Sequence, residues 1–296
     1  MPSIPVSPEV TVRVRVSGTT SNLGPGFDCL GIALALHNTL AASWTDEPVP
    51  SHPMADEAAR RFHEASGLSP RPFRWSLNGD VPLSRGLGSS VTLRLGILAA
   101  LNVLHGADLE RDDLFALCSF LEGHPDNAGP AVFGGLFVGG PTGSRFRFPV
   151  AERLRFVLLI RAHEVRTEDA RRVLPSHIAF ADAVQNVGRA ASITAAFATE
   201  DYESLRGLMR DALHEPYREA LNPGLRQIIA AGEDAGALGG FLSGSGSTVA
   251  CLTEDPEAAE RIAAAMREAC PDDAIPPETR IVAAENEGVT WTVGDA

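Results

Sequence analysis

Two glycines and a serine pair introduce an apolar stretch at Pro82-Leu83-Ser84-Arg85-Gly86-Leu87-Gly88-Ser89-Ser90, directly ahead of Val91 to Leu104. Glycine lets the backbone bend tightly and approach a ligand closely. Serines at a helix start cap free amides, and exposed amides plus the helix dipole form an anion site without side-chain charge. The Ser89 and Ser90 hydroxyls could also reach a phosphate oxygen or a magnesium ion. An ordinary capped helix after a glycine turn has the same pattern, so the loop alone does not decide between the two.

A second cluster, Leu121-Glu122-Gly123-His124-Pro125-Asp126-Asn127, puts two carboxylates, an imidazole and an amide at a helix end. Glu122 could hold magnesium through a carboxylate oxygen. His124 both donates and accepts hydrogen bonds and could orient a polar substrate. The competing reading is a solvated turn in which Asp126 bonds its own backbone. The third candidate, Gly239 to Thr248, is a glycine-serine loop before the apolar Val249 to Leu252, suited to closing over a ligand or to a tight turn.

Composition narrows the chemistry. All 25 basic residues are arginine, which excludes a lysine-bearing phosphate loop, a pyridoxal Schiff base and any lysine nucleophile. A net charge of −13 repels nucleic acid and anionic membranes, so neither is an expected partner. Cys29, Cys118, Cys251 and Cys270 are scattered without metal or disulfide spacing, which fits a reducing compartment. Met1 to Val10 has no basic region followed by an apolar core, and no run reaches membrane-spanning length, so a cytoplasmic protein is expected.

The elements that must position these loops follow from periodicity. Val10, Val12, Val14 and Val16 alternate with Thr11, Arg13 and Arg15 as a half-buried strand. Residues 17 to 28 read as a turn-rich loop, Leu30 to Leu36 as an apolar stretch, and Thr45 to Pro53 as a surface loop. Helices are expected at Ala58 to Ala65 (closed by Gly67), after the glycine loop to Leu104, and at Leu109 to Glu122. Beyond the glycine-rich Gly134 to Gly143, Phe156 to Ile160 reads as the first strand of a second unit, placing domains at 8–150 and 151–296. Helical periodicity covers Ile178 to Thr199 and Tyr202 to Leu213. Asp255-Pro256 reads as a helix start, and Val289, Trp291 and Val293 as a closing strand. Irregular mixing of strands and helices predicts an α+β class.

In order along the chain, Ser21-Asn22-Leu23-Gly24-Pro25-Gly26-Phe27-Asp28, the Gly86 to Ser90 loop, Glu122 to Asn127 and the Gly239 to Thr248 loop resemble the GHMP kinase superfamily, and within it the homoserine kinases. Thr167 to Arg171 leading to Leu174-Pro175, Leu213 to Arg218 with Leu221 and Pro223, and Asn286-Glu287-Gly288 extend the resemblance over most of the chain. It implies an N-terminal ATP-binding domain like domain 2 of ribosomal protein S5, a ferredoxin-like C-terminal domain, and transfer of the ATP γ-phosphoryl to the side-chain hydroxyl of L-homoserine. Pro82, Ser84, Arg85, Gly86, Leu87, Gly88, Ser89 and Ser90 would bind ATP, with Glu122 and Ser90 holding Mg2+. Asn22, Asp28, His124, Thr167, Arg171 and Arg218 would line homoserine, with Asp28 for its ammonium and the arginines for its carboxylate.

Asn127 stands where related kinases carry a catalytic aspartate. Neutral asparagine is a poor base, so catalysis is expected to rest on positioning and charge stabilisation, with Asp126 the alternative base. A homodimer is left open. Two other readings are kept: a GHMP-type kinase for another small alcohol, such as shikimate or mevalonate, and a non-catalytic binding protein on this scaffold. The chain departs from the resembled pattern at Val91-Thr92-Leu93-Arg94, where small residues are usual, at Ser247, where proline is usual, and over Thr45 to Ala65. β-Branched residues in the turn after Ser90 would crowd the phosphates or repack the helix.

Overall fold

The computed structural model describes residues 10–140, 143–271 and 275–295, so the expectation for the first nine residues lies outside the described part. Strand β1 (Val10–Asn22) pairs antiparallel with the long β2 (Gly26–Trp44). Along β1, Val12, Val14 and Val16 are buried while Arg13 and Arg15 face solvent, as the alternation requires. The strand then continues through residues 17–22, where the sequence predicts a loop. β-Branched Thr19 and Thr20 favour extended backbone and pair with Ala33 and Ile32. Bulges between Ser17 and Thr19, and between Ser21 and Asn22, bend this end and re-aim its side chains.

Next come α1 (Pro53–Ser66), β3 (Phe73–Gly79), α2 (Ser89–His105), α3 (Arg111–Glu122), α4 (Pro125–Phe133), β4 (Leu136–Gly139) and β5 (Arg145–Phe148). Helix α1 starts at Pro53, earlier than expected, because proline suits the first turn, and it ends at Gly67 in the left-handed conformation. Helix α2 is apolar nearly all round because it is the buried centre of the first domain, packed on Val14, Leu40, Phe62 and Leu114. A reciprocal cap between Glu110 and Asp113 starts α3.

The second half runs β6 (Arg155–Ile160), α5 (Thr167–Arg172), α6 (Phe180–Ala198), α7 (Glu215–Arg218), α8 (Leu225–Asp234), β7 (Gly239–Leu242), β8 (Val249–Thr253), α9 (Pro256–Ala269), β9 (Glu278–Ala283) and β10 (Thr290–Asp295). Asp255 caps α9 by accepting from the Glu257 amide. The helix expected over Tyr202 to Leu213 is only a 3-10 turn at Tyr202–Leu205, since Gly207 (φ +77°) turns the chain away.

The second sheet has the antiparallel order β7-β8-β6-β9. With α8 and α9 as its two crossover helices this is the ferredoxin-like split βαβ arrangement. The first sheet has the order β10-β1-β2-β4-β5, with β3 on β2. The closing strand thus lies in the first sheet although it falls within 151–296, so the chain passes to the second sheet between β5 and β6 and returns to the first at β10. Strand β6 is buried on both faces: Val157 and Leu159 meet Ile228 and Ile262, while Phe156 and Leu158 join Leu30, Ile32 and Leu34 of β2. That second core fixes the two domains against each other. Among the described residues no helix is long and apolar enough to cross a membrane.

Candidate active site

The loop before α2 is held on two sides. The Thr19 amide donates to the Leu87 carbonyl (3.1 Å), and the Ser243 hydroxyl donates to the Gly86 carbonyl (2.7 Å). Gly86 and Gly88 both have positive φ, +74° and +70°. A methyl on Gly86 would lie 2.1 Å from the Ser243 carbonyl oxygen, and one on Gly88 2.2 Å from Thr19 Oγ1. Only glycine lets the loop approach both walls. Gly86→Ala is therefore expected to cost about 1–3 kcal/mol of stability and to weaken ATP binding, read by thermal melts and ATP titration. Wild-type values for both would show that the loop does not need this approach.

Within the loop, the Ser89 hydroxyl accepts from the Ser84 amide (3.2 Å). Leu87 is fully buried, so only its backbone faces the loop interior, while Arg85 reaches across to Glu164 (3.4 Å) and the Ala162 carbonyl. Pro82 is partly buried at the loop's entrance. Val91 and Thr92 point into the core, and Thr92 accepts from Asn38 Nδ2 (2.9 Å). The β-branched pair therefore leaves the loop uncrowded. Ser247, in place of proline, donates to the His163 carbonyl (2.6 Å).

Ser90 donates to Glu122 Oε2 (2.8 Å), and Arg94 NH1 contacts Glu122 Oε1 (2.7 Å). Arg94 lies one turn after Ser90 on the same face of α2, and its side chain leans back towards the N-terminus. The Glu122 side chain is only 7% exposed, so this carboxylate is a buried anion facing the glycine loop.

A hydrogen-bonded chain links that loop to the His124–Asn127 turn. Thr19 Oγ1 donates to Asn127 Oδ1 (2.7 Å), while Asn127 Nδ2 donates to Ser21 Oγ (3.1 Å) and Asp126 Oδ1 (3.3 Å). Asp126 is almost wholly buried, and its carboxylate accepts from His124 Nδ1. Burial alone would lower the His124 imidazole, but the hydrogen bond and charge of Asp126, aided by Asp28, outweigh it and hold it above its ordinary value.

Beyond Asn127 lies a charged pocket. Arg171 NH2 and NH1 form a fork on Asp28, at 2.7 Å to Oδ1 and 3.1 Å to Oδ2. Asp28 has φ +58°, and its amide donates to Asn22 Oδ1 (3.1 Å). Asn22 Nδ2 donates to the Gly244 carbonyl (3.1 Å), so Asn22 ties the Asp28 turn to the glycine-serine loop. The Arg171 and Arg218 guanidiniums lie 5.5 Å and 5.1 Å from the Phe27 ring centre. Arg218 is buried, donating through Nε to the Ala170 carbonyl (3.1 Å) and through NH1 to that of Gly244 (2.8 Å). Among the described residues its NH2 makes no hydrogen bond. Burial, then the like charge of Arg171, pulls Arg218 down to about 10. Burial also lowers His214 to about 4, leaving a neutral ring that donates through Nε2 to the Gly24 carbonyl (2.9 Å). Thr167 opens α5 on the exposed side, one turn before Arg171.

The expected residues thus form two neighbouring groups: the glycine loop with Ser90 and Glu122, and the pocket of Asp28, His124, Arg171 and Arg218. Thr19 and Ser21, the link between them, escape a sequence reading in which residues 17–22 are loop. Their β-propensity is the available signal. Arg94 stands out in the sequence only as a departure, yet it lies four residues after Ser90, the spacing that brings side chains together on a helix.

The GHMP kinases N terminal domain family matches residues 53–135, and the GHMP kinases C terminal family matches residues 193–272. A homoserine kinase of Carboxydothermus hydrogenoformans is 38% identical over 267 residues, covering 84% of this chain and 88% of that protein. One of Aquifex aeolicus is 36% identical over 294 residues, covering 94% and 98%. The crystal structure of homoserine kinase from Cytophaga hutchinsonii superposes with a TM-score of 0.84 at 28% identity, covering 95% of this chain and 97% of that one.

Proposed function

The chain belongs to the homoserine kinase family of the GHMP kinases, and on that premise we propose how its residues carry out ATP-dependent phosphorylation of the L-homoserine side-chain hydroxyl. The ATP phosphates lie along Pro82 to Ser90, held by loop amides and the α2 N-terminus, with Ser89 and Ser90 hydroxyls beside them. The residues fit Mg2+. Ser90 Oγ and Glu122 Oε2 are 2.8 Å apart, a pair of hard oxygen donors facing the loop, although Arg94 already engages Oε1. When bound there, the ion would neutralise charge on the transferring phosphoryl group.

Homoserine presents its ammonium to Asp28 and its carboxylate to the Arg171 fork and Arg218 NH2, with Asn22, Thr167 and His124 around it. Its hydroxyl oxygen attacks the γ-phosphorus as the bond to the β-phosphate oxygen breaks, ADP leaves, and the hydroxyl proton passes to solvent water. Asn127 fixes the wall between the two groups and supplies no base. Four free cysteines suit the cytoplasm as its working compartment.

The observation that supports this reading is the Thr19–Asn127 bond, which ties the glycine loop, through Thr19, to the Asp126–Asn127 turn beside the acid-and-guanidinium pocket. It is tested by magnesium-dependent ADP release with homoserine, serine, threonine, shikimate and mevalonate. Homoserine is expected to exceed shikimate and mevalonate by about 10–100-fold in kcat/KM, the size of one lost charge-assisted contact, and to exceed serine and threonine because their hydroxyl sits one methylene closer to the charged α-carbon and falls short of the γ-phosphorus. Equal turnover of mevalonate or shikimate, which lack an ammonium group, would remove the homoserine assignment.

A further inference from the structure

The charged pocket already satisfies itself. Arg171 and Asp28 are joined by two parallel bonds of 2.7 Å and 3.1 Å, the geometry a guanidinium otherwise offers a ligand carboxylate. Under the proposed function these same two groups receive the substrate's carboxylate and ammonium, and a role for their pairing rests on that reading. Their side chains remain 38% and 35% exposed, so the pair can be reached from solvent. Asp28 is fixed at its base by the Asn22 bond, whereas Arg171 extends on a long side chain from the short helix α5. Arg218 is anchored through Nε and NH1 by the Ala170 and Gly244 carbonyls, so it cannot form on Asp28 the two-bond fork that Arg171 makes.

We propose that homoserine enters by exchanging this ion pair, its ammonium replacing Arg171 on Asp28 and its carboxylate replacing Asp28 on Arg171. A ligand carrying both charges restores both partners. A ligand with one charge must also open the pair, yet it re-pairs only one member. The stranded partner then faces a like charge with its nearby counter-charges already engaged: Asp28 lies near the buried Asp126, to which His124 is bonded, and Arg171 near the buried Arg218, which the Ala170 and Gly244 carbonyls anchor. A ligand with neither charge leaves the pair closed. The two recognition events are therefore coupled, and the pocket selects a zwitterion as a unit rather than an amine and an acid separately.

Four alcohols test this on the wild-type enzyme: homoserine, 3-aminopropan-1-ol (no carboxylate), 4-hydroxybutanoate (no ammonium) and propan-1-ol (neither). Turnover is measured as kcat/KM, and inhibition constants against homoserine are used where turnover is slow. The singly charged alcohols are expected within about tenfold of propan-1-ol, with homoserine exceeding the product of their separate gains by about a hundredfold. Two variants should show gains that independent contacts would not give. Arg171→Ala, by releasing Asp28, should raise kcat/KM for 3-aminopropan-1-ol about tenfold while lowering it for homoserine. Asp28→Ala should do the same for 4-hydroxybutanoate. Gains that simply multiply across the four alcohols, with no improvement in either variant, would overturn the exchange and leave the homoserine reading standing. If propan-1-ol matched homoserine, the substrate reading would itself fail and the exchange with it.

Discussion

Glu122→Gln is expected to fold normally and to lose turnover by about a hundredfold or more, equivalent to ~3 kcal/mol of transition-state stabilisation. The fold should survive because glutamine matches the shape. Its carbonyl oxygen can face Arg94, and its amide can donate to Ser90, whose hydroxyl also accepts. What disappears is the anion. Without it, the Ser90–Glu122 pair is a weak magnesium site, and among the described residues the Arg94 guanidinium keeps Glu57 at 3.6 Å as its remaining ion-pair partner. Arg94→Met serves as the control, since it removes one partner of the carboxylate but keeps its charge, and it should retain far more turnover. Thermal melts, single-turnover rates and magnesium titrations distinguish the variants. Near-wild-type turnover of Glu122→Gln at saturating magnesium would reduce Glu122 to a helix-end residue paired with Arg94.

Much of this site is legible in the sequence because its loops carry their chemistry locally. The glycines run directly into the helix they introduce, and Glu122 stands in a run of polar residues at the end of α3, so each shows its character locally. What depends on packing is hidden. Residues 17–22 carry serine, glycine and asparagine, which read as a turn, yet they form a strand because β2 offers partners at His37, Ala33, Ile32, Gly31 and Gly26 across two bulges. The last strand reads as a strand from its alternation, but nothing local says that it pairs with β1 across the whole chain. The engaged state of the charged residues is equally invisible. Sequence places Asp28 and Arg171 in one site as separate contacts, and only the geometry shows each holding the other. Likewise, the apolar positions of β6 look uniform in sequence, whereas their division between two cores comes from helices packing on one face and β2 on the other.

Asn127→Ala and Asp126→Asn separate positioning from base catalysis at the turn that joins the two halves of the site. Asn127 spends both ends of its amide on the protein, accepting from Thr19 and donating to Ser21. Alanine leaves those hydroxyls without their partner and loosens the wall between phosphate and alcohol. The expected result is a kcat lower by about 10–100-fold with a smaller change in KM, since misplacement of this kind acts on the reacting geometry. Asp126→Asn keeps an acceptor for His124 but removes the charge, and kcat should stay within about tenfold of wild type. A general base would instead account for about 10²–10⁴ in rate, so a collapse of that size in Asp126→Asn, with Asn127→Ala nearly normal, would reverse the assignment. Stability supplies a second readout with a definite sign. Asp126 helps to raise His124 above its unfolded value of 6.5, so the folded state binds that proton more tightly. The resulting stabilisation is fully present below pH 6.5 and disappears as pH rises through the raised value. Wild type should therefore exceed Asp126→Asn by about 1.5–3 kcal/mol in acid, the range for a hydrogen bond to a charged group, and the gap should narrow towards alkaline pH. A gap that widened with pH would mean that His124 is neutral in the folded protein, with Asp126 serving the fold through Asn127 alone.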